Sequence, residues 1–242
     1  MKNLLEIRDL SVSIGEKEIL RKINCSLSAQ DVMILFGPNG SGKSTLIRTV
    51  MGVGGFRITS GDILCKGTRI NDLPIEERVK LGLGIMYQHP PEIRGVRLRQ
   101  LARYLCKDEA KIERYAELLS LTGHLDRDVN YGFSGGEMKR SELFQLFLQD
   151  PELVLLDEPE SGVDLENIGI MGKALDGFLQ EKGRSAFIIT HTGYILDYVR
   201  AEHGCVMLAG AFRCVGDPKA MFEDIKKGGY EKCTVCPCPQ KS

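Results

Sequence analysis

The stretch DVMILFGPNGSGKST, residues 31–45, limits what this chain can fold into more than any other. After Asp31 comes a continuous apolar run, the pattern of a strand covered on both faces. A glycine-rich segment follows, and then a helical pattern from about Gly42 to Met51 that stops at Gly52. Strand, glycine loop and helix in that order fit the phosphate-binding loop in both spacing and context. Gly37, Pro38, Asn39, Gly40, Ser41, Gly42, Lys43, Ser44 and Thr45 are the candidate phosphate binders. The glycines let successive backbone N–H groups curl around a polyphosphate, the helix N-terminus adds positive potential, and Lys43 reaches the terminal phosphates. Ser44 is the candidate magnesium ligand. The plainer alternative is a glycine-rich turn that only caps a helix.

Further apolar strands fall at 84–87, 153–156 and 186–189, each followed by a polar residue and a helical stretch, which is α/β order. LLEIRDLSVSI alternates like an edge strand, and INCSLS repeats the pattern after a turn around Gly15, so an antiparallel entry sheet is expected. From Arg97 to Leu121 the spacing is helical without strands, with Leu98, Leu101, Tyr104 and Leu105, then Tyr115, Leu118 and Leu119. From Asp164 onward, Leu165, Ile168, Met171, Leu175, Phe178 and Leu179 predict one helix face packed on the sheet. GIMYQHPPEIRGV, residues 84–96, reads as a core strand that ends on Gln88. Pro90 and Pro91 cannot donate to a ladder, so the chain must leave the sheet there in an extended loop.

Composition narrows the function classes. The chain has 242 residues, 43% hydrophobic and 27% charged, which indicates neither a disordered chain nor a membrane protein. Its 32 basic and 33 acidic residues leave a net charge of -1, so nothing general favours nucleic acid. No apolar run approaches the roughly 20 residues of a membrane span, and MKNLLEIRDL lacks signal-peptide character. The expectation is a cytoplasmic protein with no direct membrane insertion. Of 8 cysteines, most are scattered through the chain, which favours reduced thiols over disulfides. Cys233, Cys236 and Cys238 form C-x-x-C-x-C at the C-terminus, a spacing open to two readings: thiolate ligands for zinc or iron–sulfur species, or a mobile reduced tail.

Two more segments carry chemistry. LVLLDE, residues 153–158, brings Asp157 and Glu158 to the carboxyl end of a strand, where ligands of parallel sheets collect. Asp157 can hold Mg²⁺, while Glu158 can orient and deprotonate an attacking water. YGFSGGEMKRSELFQLFLQDP opens a helix at Ser134, Gly135 and Gly136. Its amides could form a second anion site, or Ser134 and Glu137 could simply make a capping box. His191 ends the strand AFIIT, whereas His89, His124 and His203 read as surface or packing residues.

In this order, GPNGSGKST, Gln88 in its loop, FSGGE, LVLLDEP, SGVD and His191 in IITHT resemble the ATP-binding cassette (ABC) ATPases over nearly the whole chain. The resemblance implies an α/β P-loop nucleotide-binding domain with a RecA-like mixed β core, an antiparallel β entry sheet and an inserted helical subdomain. Residues 1–88 and 150–225 would form the catalytic core, 89–149 the helical subdomain with the signature motif, and 226–242 a cysteine-containing tail. It further implies a Mg²⁺-dependent ATPase that pairs head to tail on ATP as a two-fold homodimer. Ser134 and Gly136 would contact the γ-phosphate held by the partner chain, and Asp164 would stabilise the dimer contact. Gln88 would sense magnesium and the water, His191 would touch the γ-phosphate, and Lys43, Gln88, Glu158 and His191 would form the catalytic set. Two departures stand out. Ile14 occupies the place where the family often stacks adenine on an aromatic ring, and Glu137 replaces the commoner Gln of the signature.

YQHPPEIRGV, FSGGEMKRSE, SGVDLE and ITHTGYILDYV are similar to the SufC branch of the family, the ATPases of Suf iron–sulfur cluster assembly. That likeness implies a SufB-type scaffold as partner, alone or with SufD, moved by ATP-driven dimerisation. The alternatives are the nucleotide-binding subunit of a membrane transporter, which shares every ATP residue, and a non-catalytic nucleotide-binding regulator.

Overall fold

The computed structural model describes residues 3–88 and 90–234. Its centre is a sheet of six strands in the order β12-β11-β3-β10-β9-β6. These are β3 (Val32–Phe36), β6 (Leu83–Met86), β9 (Leu153–Asp157), β10 (Ser185–Ile189), β11 (His203–Leu208) and β12 (Ala211–Gly216). All neighbours run parallel except β12, which closes the edge antiparallel to β11. The apolar run after Asp31 is the middle of this sheet, and alternation splits its side chains between two cores. Val32, Ile34 and Phe36 face one cluster, with Val154, Leu156 and Ile188; Met33 and Leu35 face the other, with Leu155, Phe187 and Ile189.

The second cluster lies under α1 (Lys43–Met51) and an antiparallel sheet of order β2-β1-β4-β5. Its strands are β1 (Asn3–Ile14), β2 (Lys17–Ser28), β4 (Arg57–Cys65) and β5 (Thr68–Arg69), and α2 (Ile75–Lys80) follows them. The entry hairpin predicted from LLEIRDLSVSI and INCSLS is thus present and is longer than the apolar pattern shows. The first cluster lies under a helical layer: α3 (Leu98–Leu105), α4 (Glu109–Leu118), α5 (Gly135–Gln149), α6 (Leu165–Glu181) and α7 (Pro218–Gly228).

Two sequence expectations need correcting. Leu165, Tyr104 and Leu118 are exposed. Leu165 is the first residue of α6, Tyr104 points away from the face of α3 that buries Leu98 and Ala102, and Leu118 lies off the Ile112–Tyr115–Ala116 face of α4. Residues 93–97 do not stay in an open loop. They form β7 (Ile93–Arg97), paired antiparallel with β8 (Asp128–Val129) just before the SGG turn. Of the tail thiols, Cys233 is buried against the first core, and Cys236 and Cys238 lie outside the described residues, as does His89. Among the described residues no cluster of His, Cys, Asp and Glu suits a metal, and no helix is long and apolar enough to cross a membrane.

Candidate functional site

The P-loop follows β3 without a break. Gly37 has φ +152°, and a Cβ there would sit 2.3 Å from the Met207 carbonyl oxygen, so no other residue fits. Gly42, at φ +107°, is the N-cap of α1 and provides no side-chain cap, which leaves the first-turn amides of the helix open to an anion. The Ser41 hydroxyl is buried without a hydrogen-bond partner, a second orphan in the same loop. Lys43 is buried, and its Nζ donates to the carbonyls of Gly37 at 2.8 Å and Pro38 at 3.0 Å. Burial pulls its pKa down, opposed by the charges of Glu158 and Asp157.

At the end of β9, Ser44 Oγ donates to Asp157 Oδ1 at 2.9 Å, joining P-loop to strand. Asp157 is buried, and burial raises its pKa. Its Oδ2 has no hydrogen-bond partner, and the nearest cation, Arg48 Nη2, is 3.9 Å away. A hard oxygen pair with one buried anionic oxygen unsatisfied fits a magnesium ion.

Glu158 takes a left-handed backbone, φ 53°, just before Pro159, so its carboxylate leaves the strand line and enters the site. Gln88 Nε2 donates to Glu158 Oε2 at 2.7 Å, and His191 Nε2 lies 2.6 Å from Glu158 Oε1, within ion-pair distance but without hydrogen-bond geometry. The strand-ending glutamine and the strand-ending histidine therefore converge on one carboxylate. Ser134 and Asp164 do not join them. Ser134 caps α5 in a capping box with Glu137, and Asp164 caps α6 by accepting from Asn167 N–H. Glu137 is drawn below the usual carboxylate range chiefly by the Ser134 amide, and its other oxygen lies 3.0 Å from His124 Nε2.

Other residues support the site without belonging to its expected set. Lys139, buried on α5, donates to the carbonyls of Gln88 at 2.7 Å and Glu158 at 3.3 Å, so one amine holds both ends of the Gln88–Glu158 contact. Asn130, also buried, donates to the Pro91 carbonyl at 2.8 Å, and Asp128 accepts from Gly95 N–H at 2.9 Å, fastening the glutamine loop to the segment before the SGG turn. Glu160 gathers the two hydroxyls that flank His191. Lys139 stands at helical spacing from Leu143 and Leu146, which places it on the apolar side of α5 but does not say what holds its amine; Glu160 gives no sequence signal at all.

Residues 20–161 match the family described as "ABC transporter". The chain belongs to the ABC family. This ABC cassette is 37% identical over 242 residues to a "Probable ABC transporter ATP-binding protein" of Streptococcus pyogenes, covering 94% of each chain. It is 36% identical over 244 residues to the "Probable ATP-dependent transporter ycf16" of Trieres chinensis, covering 94% of this chain and 96% of that protein. Its fold matches the dimeric, post-hydrolysis structure of an ATP-binding cassette bound to ADP and Pi with a TM-score of 0.77 at 18% identity, covering 88% of this chain and 98% of that one. An ABC ATPase fold with mixed and antiparallel sheets and a helical layer is thus established.

Proposed function

We propose that this ABC ATPase is a SufC-like, Mg²⁺-dependent enzyme that closes as a head-to-tail homodimer on ATP and moves a SufB-type scaffold, alone or with SufD, in iron–sulfur cluster assembly in the cytoplasm. The observation that carries the hydrolytic part is the convergence of Gln88 and His191 on Glu158, one residue beyond the Asp157 that bonds Ser44. In this reading residues 1–88 and 150–225 form the catalytic core, and 89–149 form an arm that carries Ser134, Gly135 and Gly136 to the ATP of the partner chain. Asp164 steadies that contact.

Each site residue then has a task. The amides of Gly37 to Thr45 wrap the phosphates, and Lys43 exchanges its bonds to the Gly37 and Pro38 carbonyls for the terminal phosphates. Ser44 and Asp157, with Gln88, would hold Mg²⁺, which when bound neutralises charge on the triphosphate. Glu158 accepts the proton of the attacking water, while Gln88 and His191 fix its two oxygens. Support for the assembly role comes from YQHPPEIRGV and FSGGEMKRSE, which look like the SufC branch, and from the β7–β8 pair, whose residue Ile93 is exposed for a partner.

Replacing Glu158 by Gln is expected to lower ATP hydrolysis by about two orders of magnitude or more while nucleotide binding persists, the scale of losing one catalytic group. Unimpaired hydrolysis would remove the assignment. The names of the curated relatives favour a second reading, the ATPase subunit of a membrane transporter. Anaerobic affinity purification separates the two: recovery with a scaffold-like subunit supports cluster assembly, and recovery with a polytopic membrane protein overturns it.

A further inference from the structure

Glu160 is 4% exposed and two residues beyond Glu158, yet the hydrolytic scheme gives it no part. Its Oε1 accepts from the hydroxyls of Thr190 and, at 2.5 Å, Thr192, the residues on either side of His191. Its Oε2 accepts from Ile195 N–H at 2.6 Å. Thr190 Oγ1 in turn accepts from Gly193 N–H at 2.9 Å, so the whole 190–195 turn is drawn onto one carboxylate. A carboxylate accepts on both oxygens and can serve all three donors; an amide, with one acceptor oxygen, cannot.

The same acid sits in the turn that joins Glu158 to α6. Ser161 N–H donates to the Glu158 carbonyl and Val163 N–H to the Glu160 carbonyl, both at 3.2 Å. This turn also abuts the signature: a Cβ on Gly135 would lie 3.3 Å from the Gly162 carbonyl oxygen, and one on Gly136 would lie 2.7 Å from Asn167. Glu158 therefore meets the His191 ring while Glu160 grips the backbone and hydroxyls on both sides of that ring.

We propose that Glu160 is the positioning residue for His191: it fixes the 190–195 turn so that the imidazole meets Glu158, and it ties that alignment to the turn entering α6. Its described side-chain partners are Thr190, Thr192 and Ile195, so it acts through the turn that carries His191. The inference rests on the ATPase reading for its consequence in turnover, and its geometric part stands apart from that reading.

The test is steady-state ATP hydrolysis by Glu160→Gln, alone and in a His191→Ala background, beside NMR of the imidazole. Misalignment of a positioned group by about 1 Å costs up to about 100-fold, so Glu160→Gln is expected to lower kcat by about 10- to 100-fold with KM for ATP changed less than about twofold. In His191→Ala, where no ring is left to align, the same substitution is expected to change kcat by less than about twofold. Thr192→Val removes one of the three bonds, retains the other two, and is expected to lower kcat by a smaller factor; it serves also if Glu160→Gln does not fold. The His191 resonance, assigned by its loss in His191→Ala, is expected to move in Glu160→Gln and to stay in place in Glu166→Gln, an exposed acid of the first turn of α6. Full kcat in Glu160→Gln, or an equal loss in both backgrounds, overturns the proposal. A chain without turnover refutes the ATPase reading, and the imidazole resonance then decides the inference: if it is unmoved in Glu160→Gln, Glu160 does not position His191.

Discussion

At the scale of single residues, the site depends on where a few side chains find their partners. Lys139 places a cation between two backbone carbonyls, those of Gln88 and Glu158. Burial lowers its pKa, so the amine is retained there by its acceptors and by the nearby charges of Glu142, Asp157 and Glu158. Glu142, half-buried on the next turn of α5, is pushed the other way by its own burial, with the Tyr87 amide and Lys139 opposing. Replacing Lys139 by Met, which keeps the length and removes the donors, is expected to destabilise the fold by about 2 kcal/mol, because partly buried carbonyls lose their partner. Urea denaturation with an unchanged m-value would measure it, and a stability equal to that of the parent would show that the carbonyls find other donors.

Among the elements, α1 shows how a helix can be open at one end and closed at the other. Its N-terminus has no side-chain cap and faces the P-loop, which suits an anion. Its C-terminus is closed by Arg78 from α2: Nη1 donates to the carbonyls of Thr49 and Val50 at 2.8 Å each, Nε to Leu73 at 2.8 Å and Nη2 to Asn71 at 2.9 Å. Gly52 leaves the room this requires, since a Cβ there would lie 2.7 Å from Arg78 Nε. Replacing Arg78 by Leu removes the guanidinium donors from the Thr49 and Val50 carbonyls at the end of α1 and from the Asn71 and Leu73 carbonyls before α2, and is expected to cost about 3 kcal/mol, read as a lower urea midpoint. If the midpoint stays within error, the helix end is satisfied some other way.

Across the whole molecule, the helical layer is held by a charge cluster at the C-terminal end of α5. Asp150, at the C-cap of α5, meets Lys182 at 2.6 Å, Lys111 of α4 at 3.3 Å, and Arg184. Burial works against ionisation of Asp150, but hydrogen bonds from Lys182 and Arg184 and the charges of Lys111 and Arg184 outweigh it and hold the carboxyl well below its usual range. A depressed folded-state pKa contributes stability that is complete above the unfolded value of about 3.9 and is lost as pH falls below it. Replacing Asp150 by Asn should therefore cost about 1 kcal/mol at pH 7, discounted for its partial exposure, and the difference from the parent should shrink as pH falls below about 4. Chemical denaturation across that range reads both effects, and a deficit independent of pH would assign the loss to packing.

Much of this could be read in the residues alone, because the relevant signals are local. Hydrophobic runs bounded by glycine and acid predict β3, β6, β9 and β10 to within a residue or two, and the strand–glycine–helix order marks Gly37 to Thr45 without knowledge of the fold. Asp157, Glu158, Gln88 and His191 were each legible as polar ends of apolar strands. Their meeting was implied only by the family resemblance and not by the strand patterns, because parallel strands β6, β9 and β10 are adjacent only in the folded sheet. The β7–β8 pair was hidden for a related reason: two short segments of mixed polarity more than 30 residues apart carry no periodicity, and only their pairing makes them strands. Lys139 and Glu160 show the limit most directly. Whether a charged residue faces solvent or is drawn inward by backbone carbonyls and hydroxyls depends on donors and acceptors from distant segments, and tertiary packing alone brings those together.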